Sequence, residues 1–286
     1  MNQPQETLFK SILHAAHPLS LIAGILLYAL GGGIATYLGE SINWPVYWIG
    51  QGAVTLLQLS SYFLREYFDR AGQPPFEIRT GAPPGNGDKK QPVPPPRVIF
   101  LQVALTSMTA GAVLTVLLLA AGRMSPVAFL FIGLAFILAI VYAIPPFRLV
   151  YSGYGELILS ILITNLFPAF AYILQVGELH RLLAMLTFPL TFLYLAAILA
   201  QSLSTYLEDI KQNRQTMLAR LGWQRGMSLH NILIAGAYIL LAFSVLAGLP
   251  WRLAFPAFWR SRWVFFKSGK STASPVATNH AGDCLD

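Results

Sequence analysis

Residues 44–70 read WPVYWIGQGAVTLLQLSSYFLREYFDR. An apolar run long enough to cross a bilayer as a helix ends in four charges, Arg65, Glu66, Asp69 and Arg70. Charge is scarce in this chain. Asp, Glu, Lys and Arg make up 11% of 286 residues, and Asp and Glu together number 12. A soluble domain carries about a quarter charged residues. With 55% hydrophobic residues and a mean hydropathy of +0.58, the composition is that of a lipid-facing protein.

Working outward from this run, apolar stretches of about 20 residues recur, the length that spans a ~30 Å hydrocarbon layer as helix. They lie near 18–38, 46–64, 98–121, 125–143, 156–176, 183–207 and 228–249. Helix is the form that satisfies the backbone in lipid, and the alternating pattern of a membrane barrel is absent. The reading is an all-α integral membrane protein with about seven spans. Residues 1–20 lack the charged start, compact apolar core and small-residue cleavage site of a secretory signal. The single cysteine, Cys284, excludes a disulfide framework, a cysteine metal site and a cysteine nucleophile within the apolar region.

The net charge of +7 does not indicate nucleic acid, because the basic residues are spread over short loops between spans, where they set topology. Residues 65–97 hold Arg65, Arg70, Arg79, Lys89, Lys90 and Arg97; residues 208–227 hold Lys211, Arg214, Arg220 and Arg225. The outer loops hold Arg123 and Arg181. Four spans separate the two basic loops, so both fall on the cytoplasmic side. The Pro/Gly-rich stretch 71–96 reads as a mobile connection within one membrane domain, residues 1–250.

The acids are placed against the local grain. Glu66 and Asp69 close the second span, and Glu208 and Asp209 close the sixth. Helix C-termini disfavour anions. Glu66 and Asp69 share a helix face, as do Thr205 and Asp209. Glu208 lies about 100° around the helix from Asp209. Such acids either sit in the headgroup layer with Arg and Lys neighbours, or face each other across a cavity. In the second case they would bind Mg²⁺, which takes carboxylate oxygens and substrate phosphates, with arginines gripping the phosphates.

Three stretches resemble the UbiA-type superfamily of intramembrane aromatic prenyltransferases. REYFDRAGQ, residues 65–73, is similar to the family's N-D-x-x-D-x-x-x-D, with Glu66 for the first Asp, Asp69 retained, Arg65 for the Asn and Gln73 for the last Asp. TYLEDIKQNRQTMLARLG, residues 205–222, matches D-x-x-x-D followed by x-x-x-G-K-R-T-L and L-G, with Thr205 at the first Asp and Asp209 at the second. Asn213, Arg214 and Gln215 fall on Gly-Lys-Arg, and Thr216 on the Thr. YAIPPFRLVYSGYGE, residues 142–156, is similar to Y-x-x-P-P-x-R-L…G-x-G-E.

The resemblance spans roughly residues 15–250. It implies a helical bundle with a polyprenyl diphosphate bound through Mg²⁺ to both acidic motifs, and a small aromatic acceptor, as in quinone biosynthesis. Asp69 and Asp209 are then the catalytic metal ligands, with Glu66 and Glu208 as further ligands. Arg65, Arg70, Arg148 and Arg214 are the diphosphate-binding candidates. For Arg148 the alternative is an anchor at the interface. Tyr62, Tyr142 and Tyr206 are expected in the interfacial aromatic belt, and Asn165 as a helix–helix hydrogen-bonding residue. The histidines have no ligand spacing.

Gln73 and Thr205 are not anionic ligands, so the rival reading is a non-catalytic homologue with an incomplete metal site. A transporter fits less well, because the charges cluster at the rim rather than the midplane. Residues 251–286 form an atypical basic tail, read as a truncated or frame-shifted end, with a hairpin at 253–266 as the alternative. The charge pattern predicts that cysteines placed at Lys89 and at Arg220, with Cys284 replaced, are labelled from the cytoplasmic side. Labelling from opposite sides removes the shared-cavity reading.

Overall fold

The structure, a computed structural model, describes residues 11–13, 15–71, 97–211 and 214–251. Each apolar stretch becomes a helix: α1 (Pro18–Tyr37), α2 (Trp44–Ala71), α3 (Arg97–Ala120), α4 (Pro126–Ala143), α5 (Gly155–Val176), α6 (Arg181–Lys211) and α8 (Trp223–Leu246). A short α7 (Met217–Leu221) and a 3₁₀ turn (Leu149–Tyr151) lie at the ends of the spans. The fold is all-helical across the described residues. Among the described residues, six helices are long and apolar enough to cross a membrane. The exception is α2, whose length suffices but which carries Gln51, Gln58, Ser60 and Ser61 buried in the protein.

Two compact units divide the chain at Leu240 and Leu241. In the first, α2 runs along α3, α1 packs on the second half of α5, and α5 touches α1, α2, α4 and α6. The apolar window of α5 is 78% buried, against 22–44% in the other five, which makes α5 the central helix. Leu19, Leu26, Val116, Leu130, Ile137 and Ile232 stand exposed on the outer helices, as lipid-facing residues do. Leu195, Ala196 and Leu199 of α6 pack with Leu233 of α8, and His230 Nδ1 lies 2.9 Å from the Ala196 carbonyl oxygen. The described part of the second unit, 241–251, finishes α8. There the Gly248 and Leu249 amides bond to Val245 and Ser244 carbonyls, closing the last turn.

Local chemistry explains the breaks. Ser125 caps α4 by accepting from the Ala128 amide at 3.1 Å, with Pro126 in the first turn, where its missing N–H costs nothing. Within α5, residues Leu162–Leu166 form a π-turn just before Pro168. Pro168 has no N–H to give and its ring crowds the preceding turn, so the ladder widens there. Thr164 donates to the Ser160 carbonyl at 2.6 Å, and Asn165 Nδ2 donates to Thr191 Oγ1 of α6 at 2.7 Å. Asn165 therefore joins two helices, as expected.

Tyr62 and Tyr142 depart from expectation. They are buried inside the protein and not in an interfacial belt. Tyr62 is held by polar partners within the bundle: Ser20 of α1 and Gln58, whose Nε2 donates to the Tyr62 hydroxyl at 3.0 Å. Ser20 Oγ also pairs with the Tyr194 hydroxyl of α6 at 2.8 Å. This hydroxyl network ties α1, α2 and α6 together where lipid offers nothing polar. Tyr206 lies in the last two turns of α6, its ring 6.2 Å from that of Trp223 at the start of α8.

In a bundle surrounded by lipid, close packing holds the helices. A Cβ on Gly31 would run into the Pro168 carbonyl oxygen and Ala171, whereas a Cβ on Gly33 would meet nothing within 4 Å. Gly31→Ala is expected to cost about 1–3 kcal/mol, the usual penalty of overpacking. Gly33→Ala should be neutral. Thermal unfolding of both variants in detergent tests the α1–α5 contact.

Candidate functional site

The site forms where α2 and α6 end and the 144–155 connection crosses between them. Asp69 lies in the last turn of α2, with its side chain 6% exposed. A buried carboxylate requires paired charge and hydrogen bonds. Arg148 Nη2 donates to Asp69 Oδ1, and the Tyr151 hydroxyl donates to Oδ2. Arg65 Nε lies 3.7 Å and Arg214 Nη2 3.8 Å from the same Oδ2.

Arg214 also reaches the second motif: its Nη1 is 3.6 Å from Asp209 Oδ1. Thr205 and Thr216 stand 3.4 and 3.5 Å from Asp209 Oδ2 as hydroxyl donors. One arginine thus bridges the two acidic motifs, which the sequence places 140 positions apart. The backbone helps, because the Arg214 amide bonds to the Asp209 carbonyl at 2.8 Å and curls the chain back over the end of α6.

Arg65, Arg148 and Arg214 surround one aromatic ring. Their guanidinium carbons lie 5.7, 4.8 and 5.6 Å from the Tyr151 centroid, within cation–π range. Burial, the largest cause, pushes the Tyr151 phenol up to about 12; Arg65 opposes this and Asp69 adds to it. The phenol therefore stays protonated near neutral pH and remains a donor to Asp69. Arg148 sits at φ 37, ψ 56, a left-handed conformation that is uncommon for a non-glycine residue and is found where surrounding structure holds it. Its Nε is buried with no hydrogen-bond partner.

The G-x-G-E stretch has a steric cause. Gly153 has φ +81, and a Cβ there would strike the Arg220 side chain at 2.5 Å. A Cβ on Gly155 would press on the Leu149–Val150 backbone at 2.6–2.9 Å. The two glycines let the chain turn tightly into α5 and present Glu156. The buried Glu156 accepts from the Met217 amide at 3.0 Å, while its Oε2 has no partner. Thr216 is the N-cap of α7 and accepts from the Ala219 amide at 3.4 Å. Neighbouring residues 216 and 217 thus attach Asp209 and Glu156 to the same turn.

The structure brings together Asp69, Asp209, Arg65, Arg148 and Arg214. Glu66 is half-buried one turn before Arg70 on α2. Arg70 and Glu208 lie on their helices, but their side chains are outside the description, as are Gln73, Asn213 and the 252–286 tail. Tyr151 and Glu156 were not singled out by sequence reasoning. The available signal was their position in the 142–156 stretch, Tyr151 three residues after Arg148 and Glu156 directly after Gly-x-Gly.

Among the described residues, no three His, Cys, Asp or Glu side chains are gathered to hold a metal. The donors present are hard carboxylate oxygens. Asp69 and Asp209 carry such oxygens, of the type that Mg²⁺ takes one or two at a time while water and phosphate oxygens fill its shell. Glu156→Ala should leave the Met217 amide unpaired and cost about 1–3 kcal/mol of stability. Glu156→Gln keeps an acceptor and should cost less. Unfolding midpoints of the two purified variants distinguish a capping role from none.

No family model matches the chain, and no curated protein matches it significantly. Among solved structures, a UbiA homolog from Archaeoglobus fulgidus, bound to DMAPP and Mg²⁺, is 16% identical. The match covers 93% of this chain and 90% of that one, with a TM-score of 0.63. The chain therefore has the fold of this UbiA homolog.

Proposed function

We propose that the protein transfers a polyprenyl group from its diphosphate to a small aromatic acceptor within the membrane, a reaction of the kind used in quinone biosynthesis. The observation that carries this reading is the convergence of Arg65, Arg148 and Arg214 on Asp69 and Asp209 at the ends of apolar helices. The shared fold with a homolog that binds DMAPP and Mg²⁺ supports it, as do the motif resemblances at residues 65–73, 142–156 and 205–222.

In this reading the arginines hold the diphosphate and stabilise the charge that builds on it as the allylic C–O bond breaks. The C–O electron pair leaves with the diphosphate. The acceptor ring attacks the allylic carbon, and the ring proton is released. The apolar helix walls keep water from the cation. Bound Mg²⁺ would neutralise leaving-group charge, with Asp69 and Asp209 as its holders and Glu66 and Glu208 as further ligands. Arg70 would add positive charge at the same rim. Both motifs would face the cytoplasm, as the loop charges direct.

The rival is a membrane homologue that has lost turnover. Thr205 and Gln73 favour it, because a hydroxyl and an amide offer a metal only dipoles. Membranes carrying the chain, supplied with Mg²⁺, a labelled prenyl diphosphate and a panel of aromatic acceptors, should form a prenylated product. Asp69→Asn and Asp209→Asn should each lower it at least about 100-fold, the order of loss seen when one electrostatic group is removed from a preorganised site. Glu178→Gln, exposed on the opposite side of the bundle's topology, should not. Wild-type turnover in Asp69→Asn removes the metal assignment, and absence of product with every acceptor favours the rival.

A further inference from the structure

We propose that Tyr151 orders Arg65, Arg148 and Arg214 into a cage that binds the diphosphate directly, so that ground-state binding does not require a divalent ion. This rests on the reading above that the site takes an isoprenoid diphosphate, and it concerns what grips that group in this chain.

The carboxylates at the site are already engaged. Asp69 receives Arg148 and the Tyr151 hydroxyl, and has Arg65 and Arg214 within 3.8 Å. Asp209 receives Arg214, Thr205 and Thr216. Both acids therefore hold cations and hydroxyl donors in place. A divalent ion approaching Asp69 enters the field of three guanidinium charges, whereas a diphosphate enters the same field favourably.

The arginines, by contrast, have donors to spare. A guanidinium carries five N–H groups in a fixed fork. The three side chains remain 24–29% exposed, so N–H groups not spent on the carboxylates are open to an oxygen-rich anion, which accepts from them as a metal ion cannot. Three like charges around one ring would repel and scatter. Here Asp69 neutralises part of their charge from one side, and the negative face of Tyr151 lies within 5.7 Å of all three. The cage is therefore assembled before the ligand enters, which lowers the ordering cost of binding.

Its parts come from separate segments: Arg65 from α2, Arg148 and Tyr151 from the connection before α5, and Arg214 from the connection after α6. Arg65 occupies the place where the resembling motif has Asn, and Thr205 and Gln73 occupy places of Asp. In the motif comparison these positions exchange two carboxylates for neutral groups and one neutral group for a cation, while Gln215 in place of Arg removes one cation, a net change of two charge units toward anion binding.

The test uses the full chain in nanodiscs of neutral phosphatidylcholine, titrated with dimethylallyl diphosphate or inorganic diphosphate in EDTA and again in Mg²⁺. Binding in EDTA within about tenfold of that in Mg²⁺, a difference of about 1.4 kcal/mol, supports the cage. In EDTA, Arg148→Gln and Arg65→Gln should each weaken binding by about tenfold or more. Arg148→Lys, which keeps charge but loses the fork, should fall between. Tyr151→Phe should bind more tightly than Tyr151→Leu, because the ring orders the arginines. Unfolding midpoints of all five variants show whether a loss of binding is a loss of fold.

Binding only with Mg²⁺ overturns the cage and leaves the prenyl diphosphate reading standing. No binding in either condition overturns both. Binding in EDTA that the arginine variants do not change places the ligand elsewhere and overturns the cage. Equal displacement of diphosphate by phosphatidylglycerol added to the nanodiscs makes this a lipid-headgroup site and also overturns it.

Discussion

A carboxylate buried at the end of an apolar helix is the constraint on which this site depends. Asp69 has lost most of its contact with water, and an unpaired charge there would be prohibitive. On α2 itself Arg65 lies beside it, and further partners come from elsewhere. Arg148 and Tyr151 come from the 144–155 connection, and Arg214 from the chain beyond α6. Three separate segments are thereby fixed at one end of the first unit. Removing one partner from such a set costs more than its own bond, because the remaining charges are left buried and unbalanced.

The rest of the bundle accommodates this polar end without giving up its apolar exterior. The outer helices turn Leu, Ile and Val outward, while α2 turns Gln51, Gln58, Ser60 and Ser61 inward. The hydroxyl network of Ser20, Tyr62 and Tyr194 lies one helical turn along α2 from Arg65 and Glu66. Tyr142, also buried, interacts with Arg65. Polar groups therefore continue inward from the charged rim, some bonded to a neighbouring helix, as Gln58 and Tyr62 are to Ser20, and some within α2 itself, as Ser61 is to the Gln58 carbonyl. This is how α2 stays a helix of the bundle with a sequence less apolar than its neighbours.

Hydropathy made the helices legible. A run of about 20 apolar residues has one stable form in lipid, and the chain supplies such runs with clear ends. The pairing of the two acidic clusters was legible from loop charge, which put both on one side, and from the motif resemblances. Tyr62 and Tyr142 were misplaced because an amphipathic ring suits a membrane interface and a polar niche in a helix bundle equally well. Sequence does not reveal that Ser20 and Gln58 stand ready to receive Tyr62. Tyr151 and Glu156 escaped notice for a related reason. Their importance comes from contacts with residues 69, 214 and 217, distant along the chain, and not from any local pattern of their own.

Arg214 shows why the two motifs need one another. Each acid alone is a carboxylate at a helix end, where the macrodipole opposes it. Arg214 lies within 3.8 Å of both. Because it follows α6 by only a few residues, the turn that closes α6 also sets the distance between the motifs. That turn is secured twice, by Thr216 beside Asp209 and by the Met217 amide on Glu156. Glu156 is in turn presented by the glycines that let the 149–151 turn press against α5, and that turn carries Tyr151 back to Asp69. Contacts and short chain connections together run from Asp69 through Arg214, Asp209, Thr216, Met217 and Glu156, and the backbone of residues 151–156 leads from Glu156 to Tyr151, which returns to Asp69. The spacing of the two acids is therefore set by residues from all of these segments and not by either motif alone.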